Sequence, residues 1–331
     1  MSKILECNVL GFDRKAKVDE VGNGLKGYLR RARKRGLVVA ISGGIDSSVS
    51  TTLCVNALGP KKVFGLLLPE HDSSSNSVRL GKILAEHLGI EYMVQDIAPT
   101  LEAIGCYKWR DDAIRELFPA YNEQWKCKIA IAGGQKGAVN YFNLIVESPD
   151  GEIQKARMGL KAYLQIVSST SYKQRIRKTV EYFHADRLNY AVVGTPNRLE
   201  YDQGFFVKNG DGSADVKPIA HIYKTQVYAL AEYLGLPEEL RNVQPTTDTY
   251  SMDQEQDEFY FSLPYQKMDV ALWCHNNGRP ASVLAEDLGL SEEQAELIYK
   301  DIETKRSTTS NLHWRPVTIE KVLGPITQYE S

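Results

Sequence analysis

The sequence feature that most constrains the fold is a glycine- and serine-rich loop between an apolar run and a helix. The run Leu37–Ile41 predicts a buried strand, and residues 46–58 predict a helix that ends before Gly59 and Pro60. The loop that joins them, residues 42–48, reads Ser-Gly-Gly-Ile-Asp-Ser-Ser. Such a junction presents main-chain N–H groups and the positive end of the helix dipole, which together bind an anion.

The residues of this loop exclude two common phosphate-binding motifs. The loop lacks the Gly-Lys-Ser/Thr of a Walker A motif, and it is not a Gly-x-Gly-x-x-Gly dinucleotide fingerprint. Asp46 would repel a phosphate unless a cation lay between them, so we expect a Mg²⁺ that bridges carboxylate and phosphates. In the alternative interpretation, the loop is only a tight turn and Asp46 is a favourable charge in the first turn of the helix.

Apolar strands and helices alternate along much of the chain. Besides the first strand, we predict strands at Val63–Leu68, Glu91–Ile97 and Tyr190–Val193, and helices at about 77–88 and 223–234. This alternation is typical of an α/β fold with a doubly wound, Rossmann-like, mostly parallel sheet. Ligands of such sheets bind at the carboxyl ends of the strands.

Two parts of the chain depart from this alternation, the segment 125–161 and the C-terminal tail. The predicted elements there are a hairpin around a Pro-Asp-Gly turn at 139–157, a charged helix at 173–184, and two short helices at 281–288 and 292–305. We interpret 125–161 as an insertion or flap within a single domain of residues 1–331, followed by a helical tail.

Composition and charge narrow the classes of function. The 331 residues carry 40 basic and 42 acidic side chains, a net charge of -2, which disfavours a general nucleic-acid-binding protein. The five cysteines are scattered and form no Cys-x-x-Cys pair, so we expect neither a zinc site nor a disulfide framework. No signal peptide is recognisable, and no stretch approaches the roughly 20 apolar residues that span a bilayer. We therefore expect a cytoplasmic protein with no membrane partner.

The loop at 42–48 resembles the pyrophosphate loop of the N-type ATP pyrophosphatases, a group that includes NAD, GMP and argininosuccinate synthetases. Further segments resemble those of ammonia-dependent NAD synthetases and follow the order of that family. They are the arginine-rich segment 173–177, the segments 193–200, 204–212 and 217–227, the Pro-Thr-Thr-Asp segment 245–248 and the Leu-Pro-Tyr segment 263–265. The resemblance covers most of the chain outside the insertion.

This resemblance implies a fold, a reaction and an assembly. The fold is that of the adenine nucleotide alpha hydrolase-like proteins, and family members are usually homodimers. The reaction is the ATP-dependent amidation of deamido-NAD by ammonia: ATP adenylates the nicotinate carboxylate and releases pyrophosphate, and ammonia then displaces AMP. ATP and Mg²⁺ are the implied nucleotide and metal.

The resemblance also implies the site residues, which form three groups. The ATP and pyrophosphate residues are Ser42, Gly43, Gly44, Ser47, Ser48, Arg175 and Thr195. The metal ligands are Asp46 and Glu200, and the substrate-binding residues are Lys208, Asp211 and Lys224. Among these, Asp46, Asp211 and Lys224 are assigned to catalysis. Lys224 also begins a predicted helix, where a cation is unfavourable by about 0.3–1 kcal/mol, so an anionic partner is expected.

Without the family resemblance, several of these residues also have purely structural interpretations. Asp211 is equally well explained as a turn residue, and Glu200 as a charge exposed to solvent. Either Arg175 or Arg177 could lie on a solvent-exposed helix face, and we favour Arg175 for the ATP side.

Some positions depart from the family pattern. Pro196 replaces a glycine, Arg198 a lysine and Leu199 a serine, and residues 250–261 match the pattern less closely. Two alternatives therefore stay open. One is a related ligase that adenylates and amidates a different carboxylic acid, and the other is a non-catalytic nucleotide-binding protein.

The source of nitrogen follows from the start of the chain. Only 36 residues precede the first predicted strand, which leaves no room for a glutaminase domain. We expect free ammonia, or ammonia from a separate protein, to be the donor.

Overall fold

A four-stranded parallel sheet forms the centre of the computed structural model, in the order β3-β2-β1-β7. The structure describes residues 10–132, 141–243, 250–252, 260 and 263–320. In chain order the strands are β1 (Leu37–Ala40), β2 (Val63–Leu67), β3 (Glu91–Val94), β4 (Lys126–Ala132), β5 (Tyr141–Glu147), β6 (Ile153–Arg157) and β7 (Ala191–Val193). Leu37 pairs with Val63 on one side and with Ala191 on the other. Every residue of β2 and β7 is buried, as expected where both faces of a sheet are covered.

Helices pack on both faces of this sheet. In chain order they are α1 (Arg14–Ala32), α2 (Ile45–Leu58), α3 (Ser75–Leu88), α4 (Ala98–Ala103), α5 (Cys106–Arg115), α6 (Leu160–Leu188), α7 (Arg198–Gln203), α8 (Lys224–Tyr233), α9 (Glu238–Arg241), α10 (Tyr265–Asn276), α11 (Ala281–Leu288) and α12 (Glu292–Thr309). Helices α1, α2, α3 and α8 pack on the face that carries Leu37 and Val39. Helices α4, α5 and α6 pack on the face that carries Val38 and Leu66. The predicted doubly wound α/β fold is confirmed.

Helix α6 is longer than the sequence predicted, since it begins at Leu160 rather than near Lys173. Its 29 residues extend about 44 Å, at about 1.5 Å per residue. The serine- and threonine-rich stretch 168–172 concealed the helix, because these residues are weak helix formers. In the structure the hydroxyl of Ser169 donates to the Gln165 carbonyl at 2.9 Å and so stays within the helix.

The first half of α6 packs on a second, antiparallel sheet in the order β4-β5-β6. The predicted hairpin is present as β5 and β6, and its turn is closed by the N–H of Gly151, which donates to the Ser148 carbonyl at 2.9 Å. Strand β4 was not predicted. It pairs with β5 from Lys126 opposite Glu147 to Ala132 opposite Tyr141, so the insertion is a three-stranded unit.

The C-terminal helices α10, α11 and α12 enclose a separate apolar cluster that includes Leu272, Leu284 and Ile302. Helix α12 begins with a capping box: Ser291 Oγ accepts from the N–H of Gln294 at 3.2 Å, and Gln294 Oε1 accepts from the N–H of Ser291 at 2.9 Å. Among the described helices, none combines the length and the apolar character that a membrane span requires.

Candidate active site at the carboxyl edge of the sheet

The strand order reverses between β1 and β7, and this reversal marks the expected ligand site. Strands β2 and β3 lie on one side of β1, whereas β7 lies on the other. The loops that leave β1 and β7 therefore diverge and open a crevice at the carboxyl edge of the sheet. A cavity of about 2130 Å³ lies there, and its wall includes Gly43, Asp46, Thr195, Glu200 and Lys224.

The loop after β1 is shaped by Gly43. Its φ is +81°, a conformation that other residues rarely adopt. A Cβ at Gly43 would lie 2.7 Å from the carbonyl oxygen of Ser77, so the loop lies directly against the start of α3. Gly44 is the N-cap residue of α2, and no side chain caps the N–H groups of the first turn of this helix. These main-chain N–H groups are therefore available to donate hydrogen bonds to a bound anion.

The three serines of this loop differ in orientation. Ser42 is exposed and lines the cavity, and its Oγ lies 3.0 Å from Ser47 Oγ. The hydroxyls of Ser47 and Ser48 both donate to the Gly44 carbonyl, at 3.0 Å and 2.9 Å. Ser48 is fully buried, so its hydroxyl supports the loop from within, whereas Ser47 still reaches the cavity wall.

Asn197 connects the two carboxylates that the resemblance assigns to a metal. Its side-chain amide donates to Asp46 Oδ1 at 3.2 Å, and its main-chain N–H donates to Glu200 Oε2 at 3.1 Å. Asn197 Oδ1 in turn accepts from the N–H groups that begin α7. A capping box thus places Glu200 beside Asp46. The sequence contains this signal as an Asn three residues before a Glu.

Lys224 is the cation of this group. It is 2% exposed, and its ammonium forms an ion pair with Asp46 Oδ2. Burial opposes the charge, but the Asp46 and Glu200 carboxylates outweigh it and hold the pKa of Lys224 above its usual range. The anionic partner expected for a lysine at a helix start is thus Asp46 in this structure.

Two of the departures from the family pattern lie away from the cavity. Leu199 is buried in the cluster of C-terminal helices. Arg198 pairs with Asp202, with its Nη2 3.2 Å from Oδ2. Pro196 does line the cavity, next to Thr195. The segment 245–248 lies outside the described residues, as does most of 250–261.

Of the two arginines considered from the sequence, Arg177 lies on the cavity wall and Arg175 does not. Arg175 is exposed, and its Nε donates to the Lys208 carbonyl at 3.3 Å. Arg177 lines the cavity, and its guanidinium donates to the Leu68 carbonyl at 3.2 Å and to Ser73 Oγ at 3.3 Å. The phase of α6 decides this, since residues two apart on a helix point about 200° apart.

Lys208 and Asp211 lie in the loop after α7. The ammonium of Lys208 donates to the Asn311 carbonyl at 2.7 Å, so it holds the C-terminal segment. Asp211 lines the cavity, and its Oδ1 accepts from the N–H of Val207 at 2.8 Å. Burial raises the pKa of Asp211. Asp211 therefore shapes its own loop while it faces the cavity.

A buried ion cluster, of which Asp72 and Arg110 line the cavity, was not predicted from the sequence. The ammonium of Lys173, 1% exposed, pairs with Asp72 and with Glu70 Oε1, the latter at 3.1 Å. Asp72 also pairs with Arg110 of α5, at 2.5 Å. The cluster ties α5 and α6 to the loop after β2, which runs on to Ser77 beside Gly43. The sequence offered only a lysine in a charged helix as a signal.

Comparison with known proteins gives a consistent result. The family model described as NAD synthase matches residues 17–136 and 140–309. The NH(3)-dependent NAD(+) synthetase of Rhizobium meliloti (strain 1021) is 53% identical over 320 residues, which cover 96% of each chain. The NH(3)-dependent NAD(+) synthetase of Thermotoga maritima is 36% identical over 248 residues, which cover 75% of this chain and 83% of that one.

Solved structures share the fold. The NMN synthetase from Francisella tularensis superposes with a TM-score of 0.63 at 21% identity, covering 93% of this chain and 99% of that one. The NH3-dependent NAD synthetase from Campylobacter jejuni superposes with a TM-score of 0.61 at 22% identity, covering 93% and 100%. At these identities the likeness shows the fold alone.

Proposed function

Because the chain belongs to the NAD synthase family, we propose that its cavity catalyses the ATP-dependent amidation of deamido-NAD by ammonia. The observation that carries this proposal is the convergence of two features at the reversal point of the sheet. One is the uncapped N-terminus of α2, and the other is the pair of carboxylates, Asp46 and Glu200, that Asn197 joins.

The reaction has two steps. A carboxylate oxygen of the nicotinate attacks the α-phosphorus of ATP, and the bond from that phosphorus to the bridging oxygen breaks. Pyrophosphate leaves with the electron pair of that bond. The lone pair of ammonia then attacks the acyl carbon, AMP leaves, and the surplus proton passes to solvent. Positioning and charge stabilisation supply the catalysis, without a covalent enzyme nucleophile.

The amides at the start of α2 suit the departing pyrophosphate. Negative charge grows on that group as the bond breaks, and fixed N–H donors with the helix dipole stabilise it without reorganisation. Gly43 lets the loop lie against the start of α3, and the exposed Ser42 hydroxyl adds a donor at the cavity wall. Thr195 lines the same cavity from the β7 side, which supports a place for it beside ATP.

A Mg²⁺ ion fits the residues present. Magnesium in nucleotide enzymes is usually held by one or two carboxylates together with phosphate oxygens and water. Asp46 and Glu200 supply two carboxylates on the cavity wall, and Asn197 holds both. When bound, the ion would neutralise charge on the phosphates. Asp46 would then exchange part of its contact with Lys224 for the metal.

Lys224 would then be available to the substrate. Its ammonium is buried on the cavity wall, where a partial release from Asp46 leaves a positive charge that faces the phosphates or the nicotinate carboxylate. Asp211 faces the same cavity from the opposite loop. We assign Asp211 to substrate positioning through its loop. We assign Lys208 a secondary role in that loop, because its ammonium donates to the Asn311 carbonyl.

The size of the cavity supports two nucleotide substrates. Sites for single small ligands usually occupy about 300–1,000 Å³, whereas this cavity measures about 2130 Å³. The antiparallel unit of β4, β5 and β6 contributes Lys126 and Phe142 to the wall, which is consistent with the flap predicted at 125–161. The homodimer, the ammonia source and the cytoplasmic location stay predictions.

The alternatives from the sequence have little support. The curated relatives named above are all NAD(+) synthetases, and none is named for a different acid. Leu199, which together with the stretch 250–261 motivated that alternative, lies away from the cavity, whereas Tyr250 and Tyr260 of that stretch line it. The non-catalytic nucleotide-binding protein was motivated by the altered loop 195–199, and of the departures in that loop Pro196 lines the cavity.

An assay with purified protein tests the proposal. Incubation with deamido-NAD, ATP, an ammonium salt and MgCl₂ should yield NAD, AMP and pyrophosphate in equal amounts. Formation of ADP would contradict the acyl-adenylate mechanism. Pyrophosphate release with another carboxylic acid but not with deamido-NAD would favour the related ligase, and ATP binding without turnover would favour the non-catalytic protein.

A further inference from the structure

A fully buried carboxylate lies behind Lys224, on a helix outside the parallel sheet. Asp269 is on α10 and is 0% exposed. Its Oδ2 accepts a hydrogen bond from the main-chain N–H of Thr225 at 2.7 Å. Thr225 directly follows Lys224 in the first turn of α8. Asp269 thus contacts the backbone that carries the lysine of the site.

The contact caps one N–H group of the first turn of α8. The first N–H groups of a helix have no partner within the helix, and a side chain at the N-cap usually accepts from one of them. The N-cap residue of α8 is Tyr223, whose own N–H donates to Gln226 Oε1 at 3.1 Å, whereas the N–H of Thr225 donates to Asp269. The carboxylate of Asp269 takes over this function from another helix. A negative charge at this end of α8 is also favourable towards the helix dipole.

The position of this turn decides where the ammonium of Lys224 lies. Lys224 is the first residue of α8, and its side chain extends from that turn to the Asp46 carboxylate at the start of α2. Lysine is flexible, but a side chain that is 2% exposed has few alternative paths. A displaced first turn would therefore move the ammonium away from Asp46.

We propose that Asp269 is a positioning residue for Lys224, which fixes the first turn of α8 so that the ammonium meets Asp46 and the bound substrate. The inference rests on the proposed role of Lys224 in the amidation. It gives the C-terminal helical cluster a function in the active site, because α10 belongs to that cluster. Burial raises the pKa of Asp269 to about 6, but the N–H of Thr225 and the charge of Lys224 act in the opposite direction, so the carboxylate is largely ionised at neutral pH.

Two variants separate positioning from simple packing. Asp269→Asn keeps the shape and an acceptor oxygen for the N–H of Thr225, whereas Asp269→Ala removes the acceptor. The matched control is Asp287→Ala, which truncates another buried acid, 5% exposed, on α11 of the same cluster. All three are assayed for NAD formation beside the wild type, and their thermal midpoints are measured.

For Asp269→Ala we expect kcat to fall about 10–100-fold with little change in KM for ATP, since displacements near 1 Å have such effects on rates. Asp269→Asn should recover most of that loss. Asp287→Ala should keep the wild-type kcat, even if its thermal midpoint is lower than that of the wild type. In the Lys224→Met background, Asp269→Ala should cause no further loss.

Other outcomes would overturn the inference. An Asp269→Ala enzyme with the kcat of Asp287→Ala, or an additive loss on Lys224→Met, would make Asp269 a structural residue only. If Asp269→Ala does not fold, Asp269→Val, which also lacks an acceptor, takes its place, and wild-type kcat in that folded variant would equally overturn it. A wild type that makes no NAD would refute the proposed function instead, so the two failures are distinguishable.

Discussion

The ammonium of Lys224 contacts the carboxylate of Asp46, and so joins the first turns of two helices that lie 178 residues apart in the chain. The lysine is buried, while the aspartate is 17% exposed towards the cavity. In the structure, Asp46 thus has a cation on one side and the open cavity on the other. A metal with its nucleotide would compete with Lys224 for the same carboxylate. Substrate binding would therefore weaken the internal ion pair at Asp46.

Removal of the Asp46 charge should abolish turnover while the fold persists. For Asp46→Asn we expect kcat to fall about 100-fold or more, since a carboxylate that would hold Mg²⁺ against the phosphates is lost. The variant leaves Lys224 with Glu200 as its remaining nearby acid, so we also expect a loss of about 1–3 kcal/mol in the free energy of unfolding. Steady-state kinetics at saturating MgCl₂ measure the change in kcat, and urea unfolding measures the change in stability.

The control is Asp19→Asn, which removes the charge of an exposed acid on α1. Unchanged turnover in Asp46→Asn would exclude Asp46 from the mechanism.

Gly43 and Gly59 form a matched pair for testing the loop after β1. Both have positive φ, +81° and +82°, but a Cβ at Gly43 would lie 2.7 Å from the Ser77 carbonyl oxygen, whereas one at Gly59 would meet nothing within 4 Å. Both alanine variants should lose stability, by about 1 kcal/mol for the strained φ. Only Gly43→Ala should raise KM for ATP, because its Cβ displaces the anion-binding loop. Equal KM values in the two variants would show that the loop tolerates the displacement.

Much of the fold and the loop could be predicted because their signals are local. Apolar runs followed by Gly and a helix pattern locate β1, α2 and the anion site between them without tertiary information. The anionic partner of Lys224 could be predicted because a cation at the start of a helix is unfavourable towards the helix dipole. These signals depend on residues within one or two turns of each other, which a single sequence displays.

What could not be predicted depends on packing between distant elements. Whether Arg175 or Arg177 faces the cavity is set by how α6 rests on the sheet, and residues 173–177 alone do not fix that phase. The ion cluster of Lys173 forms only when α5 and α6 enclose the loop after β2. Asp269 reaches Thr225 from 44 residues further along, with no sequence signal at either residue.

Arg177 and Arg175 allow a direct test of which arginine serves ATP. Arg177 lies on the cavity wall and holds the loop after β2, whereas Arg175 is exposed. We expect Arg177→Ala to raise KM for ATP about tenfold, which corresponds to about 1.4 kcal/mol. Arg175→Ala should leave KM for ATP near the wild-type value. Initial-rate measurements at varied ATP and saturating deamido-NAD decide between them, and the reverse ranking would restore the assignment made from the sequence.

Asp72 should stabilise the protein at neutral pH and lose that effect in acid. Burial opposes its ionisation, but the Lys173 and Arg110 cations outweigh burial and hold its pKa below the usual value. A carboxyl with a lowered folded-state pKa contributes stability above its unfolded pKa of about 3.9, and this contribution disappears as the pH falls through the folded value. The difference in unfolding free energy between wild type and Asp72→Asn should therefore shrink as the pH falls from about 5 to about 3. The control is Asp112→Asn, whose exposed ion pair with Lys108 is screened by solvent and should give a much smaller difference. A difference that stays constant with pH would argue against the cluster.

Asp269 should show the opposite pH dependence. Burial raises its pKa to about 6, despite the hydrogen bond from Thr225 and the charge of Lys224. The folded state therefore binds the proton more tightly than the unfolded chain, and an ionised Asp269 costs stability above about pH 6, by up to about 3 kcal/mol for a shift near two units. That cost disappears as the pH falls from about 6 to about 4, because the carboxyl is then protonated in the folded state.

The measurement is urea unfolding of wild type and Asp269→Asn at several pH values. Wild type should gain stability relative to Asp269→Asn as the pH falls from 7 to 5, a range that spans the Asp269 pKa of about 6. Tyr223 and Tyr265 lie near the same carboxylate, and since the pKa of each is raised by burial, both stay neutral throughout. Asp186→Asn, at an exposed position of α6, serves as the control with a flat difference. If wild type instead lost stability relative to Asp269→Asn as the pH fell, the Asp269 carboxylate would be stabilised in its charged form, and its hydrogen bonds to the first turn of α8 would outweigh its burial.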